Sequence, residues 1–201
     1  MYPELSSVPS ALRPIDAGDH LKRRTRALDV GAGVGRVTSD VLLHLVSDVV
    51  LLEPVEVFVN EALVRARGKA SASSSDSINE KNSVWKGLAD QTRSVTILQG
   101  TLQEFDPLYP HRVEFLDRVG YQPPQPLADV RAGYDVIWCQ WCLGHLSDAD
   151  LVPFLRRCSA ALRKDGPKDR SLIVVKENLC PDSEDGTRRT VFDEQDSSLT
   201  R

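Results

Sequence analysis

The chain has 201 residues, of which 41% are hydrophobic and 27% charged, enough for one domain with a substantial core. A net charge of −4 and a pI near 5.6 give no electrostatic footprint for nucleic acid, though a mildly acidic surface suits a basic substrate. The longest apolar run, Val41 to Leu52, is broken by His44, Ser47 and Asp48 and cannot span a bilayer. Met1 to Arg13 lacks the apolar core of a secretory signal, so the expected location is cytoplasmic, with the nucleus also open.

Residues 1–26 carry Pro3, Pro9, Pro14 and Gly18 and end in a basic cluster, Lys22 to Arg26, which reads as a flexible arm. Ala27 to Val30 is a short apolar strand that runs directly into Gly31-Ala32-Gly33-Val34-Gly35-Arg36. A helix is expected next, with Val37, Val41, Leu42 and Leu45 on one face. Glycines between a strand and a helix let the chain turn tightly and bring a ligand against bare N–H groups. The spacing is G-x-G-x-G, not the G-x-G-x-x-G of a dinucleotide fingerprint, and on this element alone NAD and S-adenosylmethionine both stay open. Val49 to Leu52 is a second strand, ended by Glu53, whose carboxylate stands where it can accept hydrogen bonds from both ribose hydroxyls.

Pro54 to Arg67 suggests a helix with Phe58, Ala62 and Leu63 on its buried face. A serine-rich stretch, Ala70 to Ser83, marks a surface insertion spanning about 68–93. Ser94 to Leu98 is the third strand, followed by Thr101-Leu102-Gln103-Glu104-Phe105. A second insertion, about 107–132, is proline-rich, with a short helix expected around Val113 to Leu116. Tyr134 to Trp138 is the fourth strand, and it runs into Gln140, Trp141 and His145. Polar groups and a large aromatic at the carboxyl end of a strand are where open α/β sheets bind ligands. Ser147 is a natural N-cap for a helix over Asp148 to Arg163, stopped by Gly166, and Ser171 to Val175 is a fifth strand ending in Lys176-Glu177-Asn178. The alternation implies a doubly wound parallel sheet over residues 27–201. Cys139 and Cys142 form a C-x-x-C with no second ligand pair; with Cys158 and Cys180 they read as free thiols, and no metal site is expected. Asp193, Glu194 and Asp196 form an acidic cluster near the end of the chain.

The segments ALDVGAGVGR, YDVIWCQWCLGHL, FLRRC, VVKEN and DEQDSS occur in this order in the eukaryotic protein alpha-N-terminal methyltransferases, which the chain resembles from about Arg26 to Arg201 apart from its two insertions. The resemblance implies a Rossmann-like class I methyltransferase fold with S-adenosylmethionine as cofactor. The implied substrates are proteins with a free X-Pro-Lys-like N-terminus, whose α-amino group is methylated. By the same resemblance Gly31 and Arg36 hold the methionine end of the cofactor, and Gly33 also binds the cofactor. Glu53 stands in place of the usual aspartate at the ribose, Leu102 lies by the adenine, and Thr101 and Gln140 contact the cofactor. Trp141 stacks on the substrate proline, Asn178 binds the first residue's backbone, and Asp193 and Ser198 hold the lysine. His145 and Asp196 are the implied catalytic pair.

The chemistry is coherent, because an amine attacking a sulfonium methyl must be neutral and aligned, and an α-amino group with a pKa of ~7.7–8.0 needs only a modest base. Relative to the family the chain is expected to be truncated at both ends, without the glycine-containing segment that closes the site and without the last antiparallel strands of the sheet. A small-molecule class I methyltransferase and a non-catalytic Rossmann-like binding module are the rival readings.

Overall fold

The computed structural model describes residues 24–68, 85–124, 129, 132–164, 171–180, 190–195 and 198–200. Strands β1 (Arg26–Val30), β2 (Asp48–Glu53), β3 (Ser94–Gln99), β4 (Glu114–Gly120), β5 (Val136–Gln140) and β6 (Leu172–Lys176) form one sheet in the order β4-β3-β2-β1-β5-β6. All neighbours are parallel except β3 and β4. The chain winds outward from β1 through β2 to β3, then returns to place β5 on the other side of β1. The crevice beyond the carboxyl ends of β1 and β5 is therefore a topological switch point, the position where such sheets bind ligands.

Near-continuous apolar strands require cover on both faces, and both faces have it. Ala27, Val49, Leu51, Val95, Ile97 and Val136 pack on one side with the first two helices. Of these, α1 is wound as a π-helix over Thr38–Leu42 and continues as α-helix over Leu43–Leu45, while α2 spans Glu56–Ala66. Leu28, Val30, Val50, Leu52, Ile137 and Cys139 alternate to the other face, where α3 (Asp148–Ala161) contributes Phe154, Cys158 and Ala161. Ser147 caps α3 as expected, its hydroxyl accepting the Asp150 N–H at 3.2 Å. A separate antiparallel ribbon pairs β7 (Val191–Asp193) with β8 (Ser198–Thr200). Among the described residues no strand pairs with the outer edge of β6.

Two local expectations are corrected. The segment around Val113 to Leu116 is not helical but leads into β4, whose register against β3 shifts between Ile97 and Leu98. Val113 packs with the core on one face of the sheet and Leu116 with the core on the other, so a three-residue spacing that suits a helix belongs here to an extended segment. Phe58 is 46% exposed, because the buried stripe of α2 runs through Val59, Ala62 and Ala66. The serine-rich stretch Ala70 to Ser83 lies outside the described residues, and Trp85 and Leu88, which follow it, are core residues.

At the amino ends of the strands, a network of ions replaces apolar packing. Asp48 receives Arg24 at 2.8 Å and Arg118 at 3.6 Å, and Asp129 receives Arg26 at 2.6 Å and Arg118 at 2.8 Å. Burial alone would raise the Asp48 carboxyl, but hydrogen bonds from Arg24 and Ser94 hold it below its usual range. This network ties the proline-rich stretch to the sheet at the end opposite the switch point.

Candidate active site at the switch point

The glycine loop is shaped by what presses on it. Gly31 and Gly35 adopt φ of +62° and +81°, in the left-handed region that side chains avoid. A Cβ on Gly31 would stand 2.5 Å from Cys142 Cβ, and one on Gly35 would stand 2.4 Å from the Trp85 ring. Gly33 faces open space. Glu53 lies beneath the loop, 4% exposed, with one carboxylate oxygen accepting the Gly33 N–H at 2.8 Å and the other the Val55 N–H at 3.0 Å. The loop is thus preformed, clamped between the ends of β2 and β5.

A cavity of about 680 Å³ opens over this loop, lined among others by Asp29, Gly31, Gly33, Arg36, Gln140 and Lys176. Trp138 Nε1 donates to Gln140 Oε1 at 3.2 Å, which leaves the amide nitrogen free to donate into the cavity. Asp29 is 2% exposed and accepts the Thr38 hydroxyl at 2.6 Å. Burial pushes its carboxyl up to about 7; the Thr38 hydrogen bonds partly offset this and the nearby Glu53 charge adds to it.

Trp141 separates this cavity from a second one of about 310 Å³, whose lining includes His145, Asn178, Leu151, Leu155, Leu179 and Ser198. Its φ is +55°, a strained value for so bulky a residue, and its side region is 51% exposed. The strain is held by the backbone that follows. The Trp141 N–H donates to the Lys176 carbonyl at 3.0 Å, and a single Glu177 oxygen accepts the Cys142 and Leu143 N–H groups, each at 2.9 Å. These bonds open the turn Leu143–His145, which presents His145 at the surface, while β8 closes against Gly144. Glu177→Ala removes the acceptor for both amides and is expected to cost about 2 kcal/mol of stability and to release Trp141. Denaturant melts check the first effect and indole quenching by acrylamide the second; unchanged quenching would show that Glu177 does not hold the wall.

The expected site residues fall into three groups. Gly31, Gly33, Arg36 and Gln140 line the first cavity, Asn178, His145 and Ser198 the second, and Trp141 both. Glu53, Thr101 and Leu102 sit at the neighbouring ends of β2 and β3, outside those linings. There the Thr101 hydroxyl is 3.0 Å from Glu104 Oε2, and Arg157 of α3 donates to the Leu102 carbonyl at 3.0 Å. Asp193 ends β7, accepting the Gln195 N–H at 2.8 Å, and it lines neither cavity. Asp196 lies outside the described residues. Sequence reasoning gave no role to Asp29, Lys176 or Glu177. Asp29 had a readable signal, a lone charge within an apolar strand just before a glycine loop. No group of three or more His, Cys, Asp or Glu residues that could hold a metal occurs among the described residues, and no helix there is long and apolar enough to cross a membrane. Cys139, Cys142 and Cys158 are buried free thiols, and Cys180 is a half-buried one.

A doubly wound, mostly parallel sheet with a bare glycine loop after β1 and a polar–aromatic cluster after β5 defines a Rossmann-like domain of the class I methyltransferase type. The family model described as AdoMet dependent proline di-methyltransferase matches residues 12–201, and the chain belongs to that family. It is 32% identical over 187 residues to alpha N-terminal protein methyltransferase 1 of Arabidopsis thaliana, covering 93% of this chain and 48% of that protein. It is 31% identical over 177 residues to N-terminal Xaa-Pro-Lys N-methyltransferase 1 of Homo sapiens, covering 87% of this chain and 54% of that one. Among solved structures, a SAM-dependent methyltransferase of Leishmania major aligns with a TM-score of 0.57 at 26% identity, over 98% of this chain and 53% of that one. The chain spans about half the length of the curated relatives it matches.

Proposed function

We propose that the protein methylates the free α-amino group of proteins with X-Pro-Lys-like N-termini, using S-adenosylmethionine. The observation that carries this reading is the pair of cavities meeting at Trp141, one with the donor set of an amino-acid cofactor and one shaped for a short peptide end. The first cavity offers backbone without side chains at Gly31 and Gly33, the Gly33 N–H being held by Glu53, together with the Asp29 carboxylate and the Arg36 guanidinium, the opposite charges that an α-amino-acid end requires. The residues therefore fit the methionine end of the cofactor, with Gln140 donating beside it. Each Glu53 oxygen retains a lone pair for a ribose hydroxyl, and Leu102, with Thr101 beside it, supplies the apolar contact for adenine. When bound, the cofactor supplies an electrophilic methyl group.

The chain's own residues do the rest. The exposed Trp141 indole gives a proline ring a flat apolar wall, and Asn178 supplies both a donor and an acceptor for the backbone of the first residue. Asp193 and Ser198 would meet the ammonium of the third-position lysine. His145, exposed at the edge of the second cavity, takes up the proton that leaves the amine, and Asp196 orients or shares it. The nucleophile is neutral only above its own pKa, so the rate rises with pH through the range of the bound amine.

Mass spectrometry of a Ser-Pro-Lys-starting peptide after incubation with the protein and S-adenosylmethionine tests the reading, with the N-acetylated peptide as control. Methyl additions on the free peptide alone are expected. Cofactor binding with no transfer to this peptide would overturn it, in favour of a small-molecule methyltransferase or a non-catalytic binding module.

A further inference from the structure

Lys176 closes β6 in register with Gln140, and its ammonium lies 4.7 Å from the centroid of the Trp141 ring. Among the described residues that ammonium is in no ion pair. It lines the first cavity and not the second, whereas the indole lines both. The cation on the indole thus belongs to the first cavity, while the half-exposed indole itself is shared with the second.

We infer that Lys176 is a positioning residue that, through Trp141, fixes the aromatic wall and biases the acceptor amine toward its neutral form. The inference rests on the methylation reading above. A cation on the face of an indole holds the ring in one orientation, which matters here because Trp141 starts from a strained backbone and has half its surface in solvent. A proline ring seated against that indole brings the substrate's first residue, and its amine, close to the same positive charge. A like charge nearby lowers the proton affinity of an amine. The other charged groups around the wall are mixed in sign. Asp29, Arg36 and Asp40 share the first cavity with Lys176, His145 and Glu177 stand on the peptide side, and Asp193 belongs to β7. The carboxylates favour the protonated amine, and Lys176 is the cation in contact with the indole that opposes them.

The test is the pH profile of kcat/KM for a Ser-Pro-Lys-starting peptide with wild type, Lys176→Met and Lys176→Arg, beside calorimetric titration with S-adenosylhomocysteine. Lys176→Met is expected to lose about tenfold in kcat/KM near neutral pH, with the gap closing in base as the acid limb moves up by about one pH unit. Lys176→Arg keeps the charge and the stacking contact and should restore the wild-type limb. Cofactor-product affinity should stay within about threefold in both variants. A uniform loss at every pH, or a loss of S-adenosylhomocysteine affinity with the acid limb unmoved, would overturn the inference while leaving the methylation reading intact. No transfer by the wild-type protein to any free N-terminus would remove both.

Discussion

Gly31→Ala is expected to abolish cofactor binding and to destabilise the fold by about 3–4 kcal/mol, whereas Gly33→Ala should cost only about 1 kcal/mol. Both glycines have positive φ, +62° and +57°, so the backbone penalty for an L-residue is shared between the two variants. They differ in what the new methyl group meets. At Gly33 there is nothing within 4 Å; at Gly31 the methyl would stand 2.5 Å from Cys142 Cβ. A Cβ cannot rotate away, so relief requires the backbone to shift. Cys142 cannot retreat cheaply, because its N–H is fixed on Glu177 and its side chain is buried. The glycine loop would be driven from the end of β5, opening the joint that lines both cavities. Denaturant melts and titration with S-adenosylhomocysteine measure the two effects. Equal losses in the two variants would mean that the close approach of the loop to Cys142 does not shape the site.

This contact also shows what the sequence could and could not disclose. The glycine loop, the end of β5 and most parallel strands were legible because short apolar runs buried on both faces, punctuated by glycine or polar residues, leave few alternatives. That Gly31 packs on Cys142 was not legible, since the two residues meet only once β1 and β5 are neighbours. The C-x-x-C read correctly as buried thiols, yet its packing role depends on that pairing. Strand β4 was hidden because Val113 and Leu116 have the three-residue spacing of a helix face, whereas they pack on opposite faces of the sheet. Trp85 was obscured by the serine-rich composition just before it, although its ring is what fills the space beside Gly35. On α2, periodicity identified the helix and the inward-facing Ala62 and Leu63, but it put Phe58 inside, where Val59 is buried instead and Phe58 stays half-exposed beside the first cavity. Glu177 was unreadable for another reason. Its partners are backbone amides across the switch point, and backbone groups leave no mark in a sequence.

Asp29→Asn is expected to make the protein more stable, by an amount that depends on pH, while weakening its hold on the cofactor. Asp29 sits in a strand with its carboxyl pushed from an ordinary value of 3.8 up to about 7, chiefly by burial. A carboxyl raised in the folded state binds its proton more tightly there than in the unfolded chain, so it imposes no penalty below pH 3.8, where both states are protonated. Between that pH and about 7 the unfolded chain releases the proton and the folded one keeps it, so stability falls as pH rises. Above about 7 the buried carboxylate is charged in both states and the penalty is complete. Asparagine keeps an oxygen that can accept the Thr38 hydroxyl but carries no charge to desolvate. The stability gain of Asp29→Asn should therefore be about 2–3 kcal/mol larger at pH 8.5 than at pH 5, read from urea midpoints at the two pH values. A gain independent of pH would mean that the folded protein does not hold Asp29 above its ordinary range. A buried charge that costs this much is retained in a cavity for a cation to meet, and it shares that cavity with Arg36 and the bare glycine loop. The ammonium of an amino-acid cofactor is such a cation. Calorimetric titration at pH 8.5 should accordingly show S-adenosylhomocysteine binding at least about tenfold more weakly to Asp29→Asn than to wild type, even as the variant melts later. A variant that is both more stable and equally tight would assign the charge of Asp29 to neither the fold nor the cofactor.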